Sequence, residues 1–346
     1  MSLLDHTTTQ KNLLISKRLS IFGVIVIGLL IFRLSFEPSS FRDYFPYLDY
    51  FSEIRSYGVW SGGLDPASNF VFYLIGLFTS DRELAVLILY GYILFLFLLA
   101  SWYLITVHRI NWLNYWIFFA LFGPLLALIT IRATPAYLAV FLSFFALQRG
   151  RVVTAVAFSL LGAAFHFSGL LLVPVVMAAA VFGPRLEQST GSRRVFWLGF
   201  TGMWFVGAVM AFFGVGSALA GFELGELLVR YSSYLSETES GAGVFHRIYF
   251  LAALALSFLS LYLADDVNWR ARLFIGFAAI QYSLIAWSPV FAFRQSIFWV
   301  APAILIFPFE AVLRWRSLRV LVAFLFLFVL FYSAIGIFED DFVGRL

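Results

Sequence analysis

The sequence contains no cysteine and few charged residues. Of its 346 residues, 12% are Asp, Glu, Lys or Arg, about half of the ~25% typical of soluble domains. The lack of cysteine excludes disulfides, thiolate catalysis and cysteine-ligated metals, and the four histidines are too scattered to suggest a histidine-rich metal site. So little charge cannot cover a surface that faces water. The composition therefore excludes a water-soluble enzyme, a disordered tail and a nucleic-acid-binding module.

Apolar and aromatic side chains are abundant instead. The chain is 62% hydrophobic and 20% aromatic, with a mean hydropathy of +0.93. This predicts an all-α fold, a polytopic transmembrane helical bundle in which residues 1–346 form a single integral membrane domain. The net charge of +4 fits positively charged cytoplasmic loops. No small-residue cleavage pattern follows the first apolar stretch, 19–36, which predicts a signal anchor that stays in the protein.

Runs of about 20 apolar residues mark the candidate membrane crossings. After 19–36 they lie at 84–107, 112–131, 134–148, 195–214, 245–264, 271–288, 295–309 and 318–338. The run 69–79 is too short to cross and predicts a re-entrant or surface helix. The segment 152–182 is too long for one crossing, since a single helix would measure about 46 Å against a hydrocarbon core of roughly 30 Å.

The positive-inside rule favours two short helices in 152–182 that meet near His166. With that pair, fourteen of the 23 basic residues fall on the cytoplasmic side, whereas a single crossing would invert every later loop. The prediction is therefore about eleven crossing segments, some short or broken, with a cytoplasmic N-terminus and an outer C-terminus. Residues 37–82 form the first external loop, with an amphipathic helix along the interface, and 215–244 form the second.

Helix lengths also predict a group of cationic residues beneath the outer surface. Counting about 1.5 Å per residue from the cytoplasmic charges places Arg33, Arg132, His166, Arg247 and Arg294 at a similar depth. An arginine inside a bilayer costs about 2.5–3.5 kcal/mol on insertion scales. We therefore expect these residues to line a wet, outward-facing cavity that binds phosphate or pyrophosphate. Three alternatives stay open: Arg33 and Arg247 snorkel to the surface, Arg132 has a structural role at the start of a helix, or His166 is a buried histidine bonded to a carbonyl.

Carboxylates in the external segments include Asp43, Asp49, Glu53 and Asp65. Most of them are expected to be solvated loop charges. One is a candidate general base, because activation of a sugar hydroxyl requires a proton acceptor within hydrogen-bond reach.

Two segments carry a family resemblance. One is Ile131-Arg132 followed by Ala136, and the other is Ala163-Ala164-Phe165-His166-Phe167-Ser168-Gly169-Leu170. Together they resemble the EpsG/Wzy-type family, bacterial membrane proteins that polymerise exopolysaccharide or O-antigen repeat units. Weaker matches in order and placement are Asp43, Tyr47, Tyr231, Tyr234 and Arg294, and the resemblance covers roughly residues 40 to 310. Thr134-Pro135 departs from the family pattern, which more often has a polar helix former and an aliphatic residue there.

The resemblance implies a GT-C-like glycosyltransferase of the bacterial inner membrane that acts on undecaprenyl-pyrophosphate-linked oligosaccharides at the periplasmic face. By position, Arg132 and Arg294 would hold the leaving pyrophosphate, His166 would be a base or an orienting donor, and Asp43 would be the competing base. The remaining candidate substrate-binding residues are Tyr47, Tyr231, Tyr234, Arg230 and Arg247. No cofactor, metal or nucleic acid is expected. A chain-length regulator protein is a candidate partner beside the lipid bilayer.

Three other functions fit parts of the pattern. A flippase for lipid-linked sugar also needs a cationic cavity, but it should show discontinuous helices in two matching halves, and the sequence has one clear broken pair. A membrane acyltransferase can use a lone histidine as its base, but the arginines then lack a purpose. A polysaccharide ligase would have nearly the same chemistry, and the compact second external loop favours a polymerase.

Overall fold

The computed structural model describes residues 44–59, 65–108, 110–130, 132–213, 244–264, 267–285 and 289–312, with Gly23 and a few single positions between 319 and 327. Regular structure in these residues is helical, which confirms the all-α prediction. They form two compact units. The first contains 44–59 and 69–134, and the second contains 65–68 and the residues from Pro135 onward.

The first unit begins with the helix predicted for the first external loop. Helix α1 (Tyr44–Tyr57) buries Tyr44, Tyr47, Phe51 and Ile54, which lie three or four residues apart and so share one helical face. This face packs on α3. The helix and its single buried face are as predicted, and its place in an external loop along the membrane interface stays a prediction.

Capping residues and one proline explain where the other helices of this unit begin and end. After α2 (Pro66–Phe78), α3 (Arg82–Thr106) starts at the cap residue Asp81, whose carboxylate accepts the backbone N–H groups of Glu83 and Leu84. Helix α4 (Trp112–Pro124) is capped in the same way by Asn111. It then widens into a π-helical segment, Leu125–Ile129, after the point where Pro124 removes a backbone donor.

The second unit is built around one helix near its centre. Its elements are α5 (Thr134–Gln148), α6 (Val152–Phe165), α7 (Phe167–Leu170), α8 (Leu172–Gln188), α9 (Thr190–Phe213), α10 (Val244–Leu263), α11 (Trp269–Ile285), α12 (Pro289–Leu305) and α13 (Phe309–Val312). Helix α11 packs against α8, α9, α10 and α12, and α6 packs against α8.

The predicted break in 152–182 is confirmed. Helix α6 ends at Phe165, His166 is extended, and the short α7 leads directly into α8. The predicted start of the late helix is wrong. Helix α12 begins at Pro289, so Arg294 lies in its second turn and does not open it.

Two of the described helical stretches, Arg82–Thr106 and Phe167–Gln188, are long and apolar enough to cross a membrane. Pro66–Phe78, Thr134–Gln148 and Val152–Phe165 are apolar but shorter. The eleven crossings therefore stay a prediction. The expected spans 19–36 and 318–338 lie outside the continuously described residues, and so does the second external loop.

Candidate substrate-binding site

The centre of the candidate site is the helix break at His166. The backbone of His166 has φ −157° and ψ 130°, and its side chain caps α7 by accepting the Ser168 N–H. The distance from Ser168 N to Nδ1 is 3.2 Å, and the Ser168 hydroxyl lies 2.6 Å from the same nitrogen. Both residues are buried, His166 at 8% exposed and Ser168 at 3%. The histidine is thus fixed at the break, with its Nδ1 atom bonded to the Ser168 backbone N–H.

This hydrogen bond assigns the tautomer of His166. A nitrogen that accepts a backbone N–H carries no proton, so the neutral imidazole has its proton on Nε2. In this tautomer Nε2 carries the donor proton of the ring. Both expected roles of His166, base and orienting donor, stay predictions.

Asp65 forms a hydrogen bond with the backbone that follows His166. Its Oδ1 accepts the N–H of Phe167 at 3.0 Å, and the residue is only 6% exposed. Three residues later, the Ser68 hydroxyl donates to the carbonyl oxygen of Phe165 at 2.9 Å. The backbone groups that the break releases at Phe165 and Phe167 are satisfied by this one short segment.

Asp65 is therefore not one of the solvated loop charges that were expected among the external carboxylates. Asp65 followed by Pro66 at the first helical position is a typical helix start. That local signal does not reveal a partner 102 residues away in the sequence.

Helix α12 approaches the break through Gln295. The Gln295 amide donates to the Ser168 carbonyl oxygen at 3.5 Å, and its side chain is 4% exposed. The preceding residue is Arg294, whose carbonyl oxygen accepts the Tyr137 hydroxyl at 3.1 Å. The structure thus places the backbone of Arg294 one residue from a contact with the His166 turn. The Arg294 side chain is half-buried.

Two glycines allow the chain to turn back closely at the break. A Cβ on Gly169 would lie 2.7 Å from the backbone carbon of Gly162, a distance that real Cβ atoms do not adopt. A Cβ on Gly162 would lie 3.2 Å from the Ala136 carbonyl oxygen on α5. The position of the His166 turn therefore depends on backbone-to-backbone packing between α6 and α7.

We expect Gly169→Ala to destabilise the protein by about 1–3 kcal/mol, the range for overpacking a tight site. Thermal unfolding in detergent measures this loss of stability. Gly199→Ala is the matched control, because a Cβ on Gly199 would meet nothing within 4 Å and alanine favours a helix interior. Equal stability of Gly169→Ala and wild type would contradict the close packing.

Arg132 lies in the first unit, in the turn before α5. Its backbone N–H donates to the Tyr47 hydroxyl at 3.3 Å. Tyr47 is buried at 6% exposed, while Arg132 is exposed. The Tyr47 hydroxyl therefore fixes the turn that carries Arg132. Sugar binding by Tyr47 stays a prediction.

Tyr44, one helical turn before Tyr47, faces the start of α3. Desolvation raises the pKa of Tyr44, and the nearby carboxylates of Glu83 and Asp81 raise it further. The Tyr44 hydroxyl is therefore protonated at neutral pH and suits a neutral packing role.

The structure brings His166 together with the backbone of Arg294, both in the second unit. The gathering of Arg132 with them in one cavity stays a prediction. Asp43, Arg230, Tyr231, Tyr234 and Arg33 lie outside the described residues, and so does the side chain of Arg247, whose backbone lies in α10. Within the described residues, no group of three or more His, Asp or Glu side chains is placed to hold a metal ion.

The described chain is thus an all-α protein of apolar helices, with a buried histidine fixed at a helix break. A sequence model of the EpsG family matches residues 20–343, and the chain belongs to this family. EpsG proteins are membrane proteins of the Wzy-type polysaccharide polymerase kind, so the family assigns a role in polysaccharide polymerisation. No curated protein and no solved structure matches the chain.

Proposed function

We propose that the protein is a glycosyltransferase that joins lipid-pyrophosphate-linked oligosaccharide repeat units at the periplasmic face of the bacterial inner membrane. Family membership supplies the reaction class. The observation that carries the site is the buried His166 turn. Asp65 accepts a hydrogen bond from it, and Ser68 and Gln295 donate hydrogen bonds to it. Polar groups fixed inside apolar helices are expensive and mark functional sites.

The reaction forms one glycosidic bond and breaks one bond to pyrophosphate. A hydroxyl at the non-reducing end of the incoming repeat unit attacks the anomeric carbon of the growing chain. The lipid pyrophosphate leaves with the bonding electrons, and the hydroxyl proton passes to a base. Negative charge therefore accumulates on the leaving pyrophosphate in the transition state.

Each predicted residue then has a distinct task. Arg294 and Arg132 neutralise the leaving pyrophosphate, because a guanidinium grips phosphate oxygens through two donors. His166 donates from Nε2 to a substrate oxygen. The proton acceptor is a carboxylate, with Asp43 as the candidate. Tyr47, Tyr231, Tyr234, Arg230 and Arg247 complete the proposed substrate contacts.

Reconstitution is the direct test. The purified protein in liposomes, supplied with synthetic undecaprenyl-pyrophosphate repeat units, should produce a ladder of elongated products. Movement of unreacted lipid-linked sugar across the bilayer without elongation would favour the flippase instead. Transfer of finished polysaccharide to a different acceptor, without a ladder, would favour the ligase.

Arginine can neutralise pyrophosphate without a divalent cation, so we expect the reaction to be metal-independent. Full retention of ladder synthesis in EDTA is the expected result. Loss of synthesis in EDTA and its recovery with Mg²⁺ or Mn²⁺ would contradict this expectation.

Asp65 is expected to position the turn and not to exchange protons. Asp65→Asn keeps an oxygen that can accept the Phe167 N–H, and polymerisation should stay within about tenfold of wild type. Asp65→Ala leaves that N–H buried without its acceptor, which costs about 1–3 kcal/mol. Unfolding temperature and ladder rate are measured for both. A folded Asp65→Asn protein as inactive as Asp65→Ala would show that the carboxylate itself takes part in catalysis.

A further inference from the structure

Three turns meet at one end of the second unit, at the side that the positive-inside rule makes cytoplasmic. They are the turns between α5 and α6, between α8 and α9, and between α10 and α11. The Asn268 amide donates to the carbonyl oxygens of Leu147 and Gln148 at 3.1 and 2.8 Å, which joins the first turn to the third. The guanidinium of Arg193 lies 5.3 Å from the centre of the Trp269 ring, which joins the second to the third.

Two arginines at this end serve the fold. Arg272 donates to the carbonyl oxygens of Leu261, Ala264 and Val267, and Arg193 donates to those of Leu186 and Glu187. These bonds satisfy carbonyls at the C-terminal ends of α10 and α8 and, at Val267, in the link that leads to α11. The Arg272 guanidinium also lies 5.3 Å from the Trp269 ring.

Arg270 differs from these two arginines. Its side chain crosses α8 at Gly183, where a Cβ would lie 2.3 Å from Arg270 Cγ, and it reaches Gly150, where a Cβ would lie 3.0 Å from a terminal guanidinium nitrogen. The two glycines therefore leave space for this side chain. The Nε atom of Arg270 is buried, and no hydrogen-bond partner for it exists among the described residues.

Four further arginines of these turns are exposed. Arg149 and Arg151 flank Gly150 in the sequence, Arg185 lies two residues after Gly183, and Arg194 follows Arg193. Exposed apolar side chains lie within three residues of three of them: Val153 is 84% exposed, Phe182 43% and Val195 69%. The Arg185 guanidinium also lies 5.5 Å from the centre of the Phe182 ring. This end of the second unit therefore presents both positive charge and apolar surface.

We propose that this end of the second unit binds the phosphate group of an anionic phospholipid. Arg270 supplies a donor from the slot between Gly150 and Gly183, and Arg149, Arg151 and Arg194 supply positive charge at its rim. A guanidinium fits phosphate oxygens bidentately. The neighbouring apolar side chains fit acyl chains, which favours a lipid over a soluble acidic protein.

The test compares two lipids that share acyl chains and differ in headgroup charge. Phosphatidylglycerol or phosphatidylcholine is titrated into the full-length protein in uncharged detergent, and bound lipid is counted by native mass spectrometry. We expect phosphatidylglycerol to bind at least about tenfold more tightly. Arg149→Gln and Arg151→Gln should each reduce that preference about fivefold, the contribution typical of one basic residue near an anionic headgroup.

Arg270→Lys tests the slot itself. It keeps the charge and loses the Nε donor and the planar fork, so the preference should fall while phosphatidylcholine binding stays constant. Arg82→Gln and Arg82→Lys are matched controls, because Arg82 is exposed at the start of α3 in the first unit. Their lipid preference should equal that of wild type. If Arg270→Lys fails to fold, the variants of the exposed residues Arg149 and Arg151 still test whether this end of the unit binds the anionic lipid.

Three results would overturn the proposal. Equal affinity for the two lipids would remove the selectivity for an anionic headgroup. Loss of the preference in millimolar inorganic phosphate would indicate a site for a free anion. Displacement of the lipid by a polyglutamate peptide would indicate an acidic protein partner.

Discussion

Replacement of His166 by asparagine is expected to reduce polymerisation by about 10²–10³-fold while the protein stays folded. Asparagine is a favourable N-cap residue, and its side-chain oxygen can accept the Ser168 N–H that Nδ1 accepts in the native protein. It has no atom in the place of Nε2. The variant therefore keeps the cap and loses the proposed donor to substrate, and loss of one such donor typically costs that factor. Initial rates of ladder synthesis measure the effect.

A second N-cap residue in the same unit, Ser189, provides the control for His166→Asn. The Ser189 hydroxyl accepts the Ser192 N–H at 3.2 Å at the start of α9. Ser189→Ala should lower stability by about 1 kcal/mol and leave the polymerisation rate of the folded protein unchanged. If His166→Asn were as active as wild type, the histidine would be a cap alone, and the proposed donor role would be wrong.

Arg294→Ala should reduce polymerisation by about 10²–10³-fold, since it removes a positive charge proposed to face the developing pyrophosphate. Arg294→Lys keeps the charge and loses the bidentate fork, so we expect an intermediate loss of about tenfold. The backbone at this position is held independently of the side chain, because the Tyr137 hydroxyl donates to the Arg294 carbonyl oxygen. The measured quantity is the elongation rate at saturating lipid-linked substrate.

The control for the Arg294 variants is Arg82, an arginine with no proposed contact to substrate. Arg82→Ala and Arg82→Lys change an exposed residue in the first turn of α3 and should leave elongation unchanged. If both Arg294 variants elongated at the wild-type rate, pyrophosphate neutralisation would have to come from other residues. Equal losses in Arg294→Lys and Arg294→Ala would show that the fork, and not the charge, matters.

The helices could be predicted from the sequence to a useful degree. Predicted runs such as 84–107 and 134–148 match α3 and α5 closely, because a long apolar run with a cap or a proline at its start fixes a helix locally. The break at His166 was also predictable, since one unbroken helix over 152–182 is longer than the bilayer core is thick. The predicted start of α12 is wrong because a charged residue beside an apolar run is typical of a helix boundary, whereas Arg294 lies inside the helix.

The partners of the candidate site could not be predicted in the same way. Asp65 and Gln295 contact the His166 turn over 102 and 127 positions of the chain, and neither contact leaves a local pattern. The tautomer of His166 likewise depends on which nitrogen meets the Ser168 N–H. That in turn depends on the turn geometry which Gly162 and Gly169 permit.

The helical fold, the apolar surroundings and the place of the helix break follow from local features of the chain, because periodicity, apolar length and charge act over short stretches. The packing of the helices in three dimensions decided which polar groups meet at that break and that Asp65 is buried there. It also decided that Arg270 crosses the slot beside Gly183. These contacts depend on how helices distant in sequence pack. A buried polar group must find a partner wherever that packing places one.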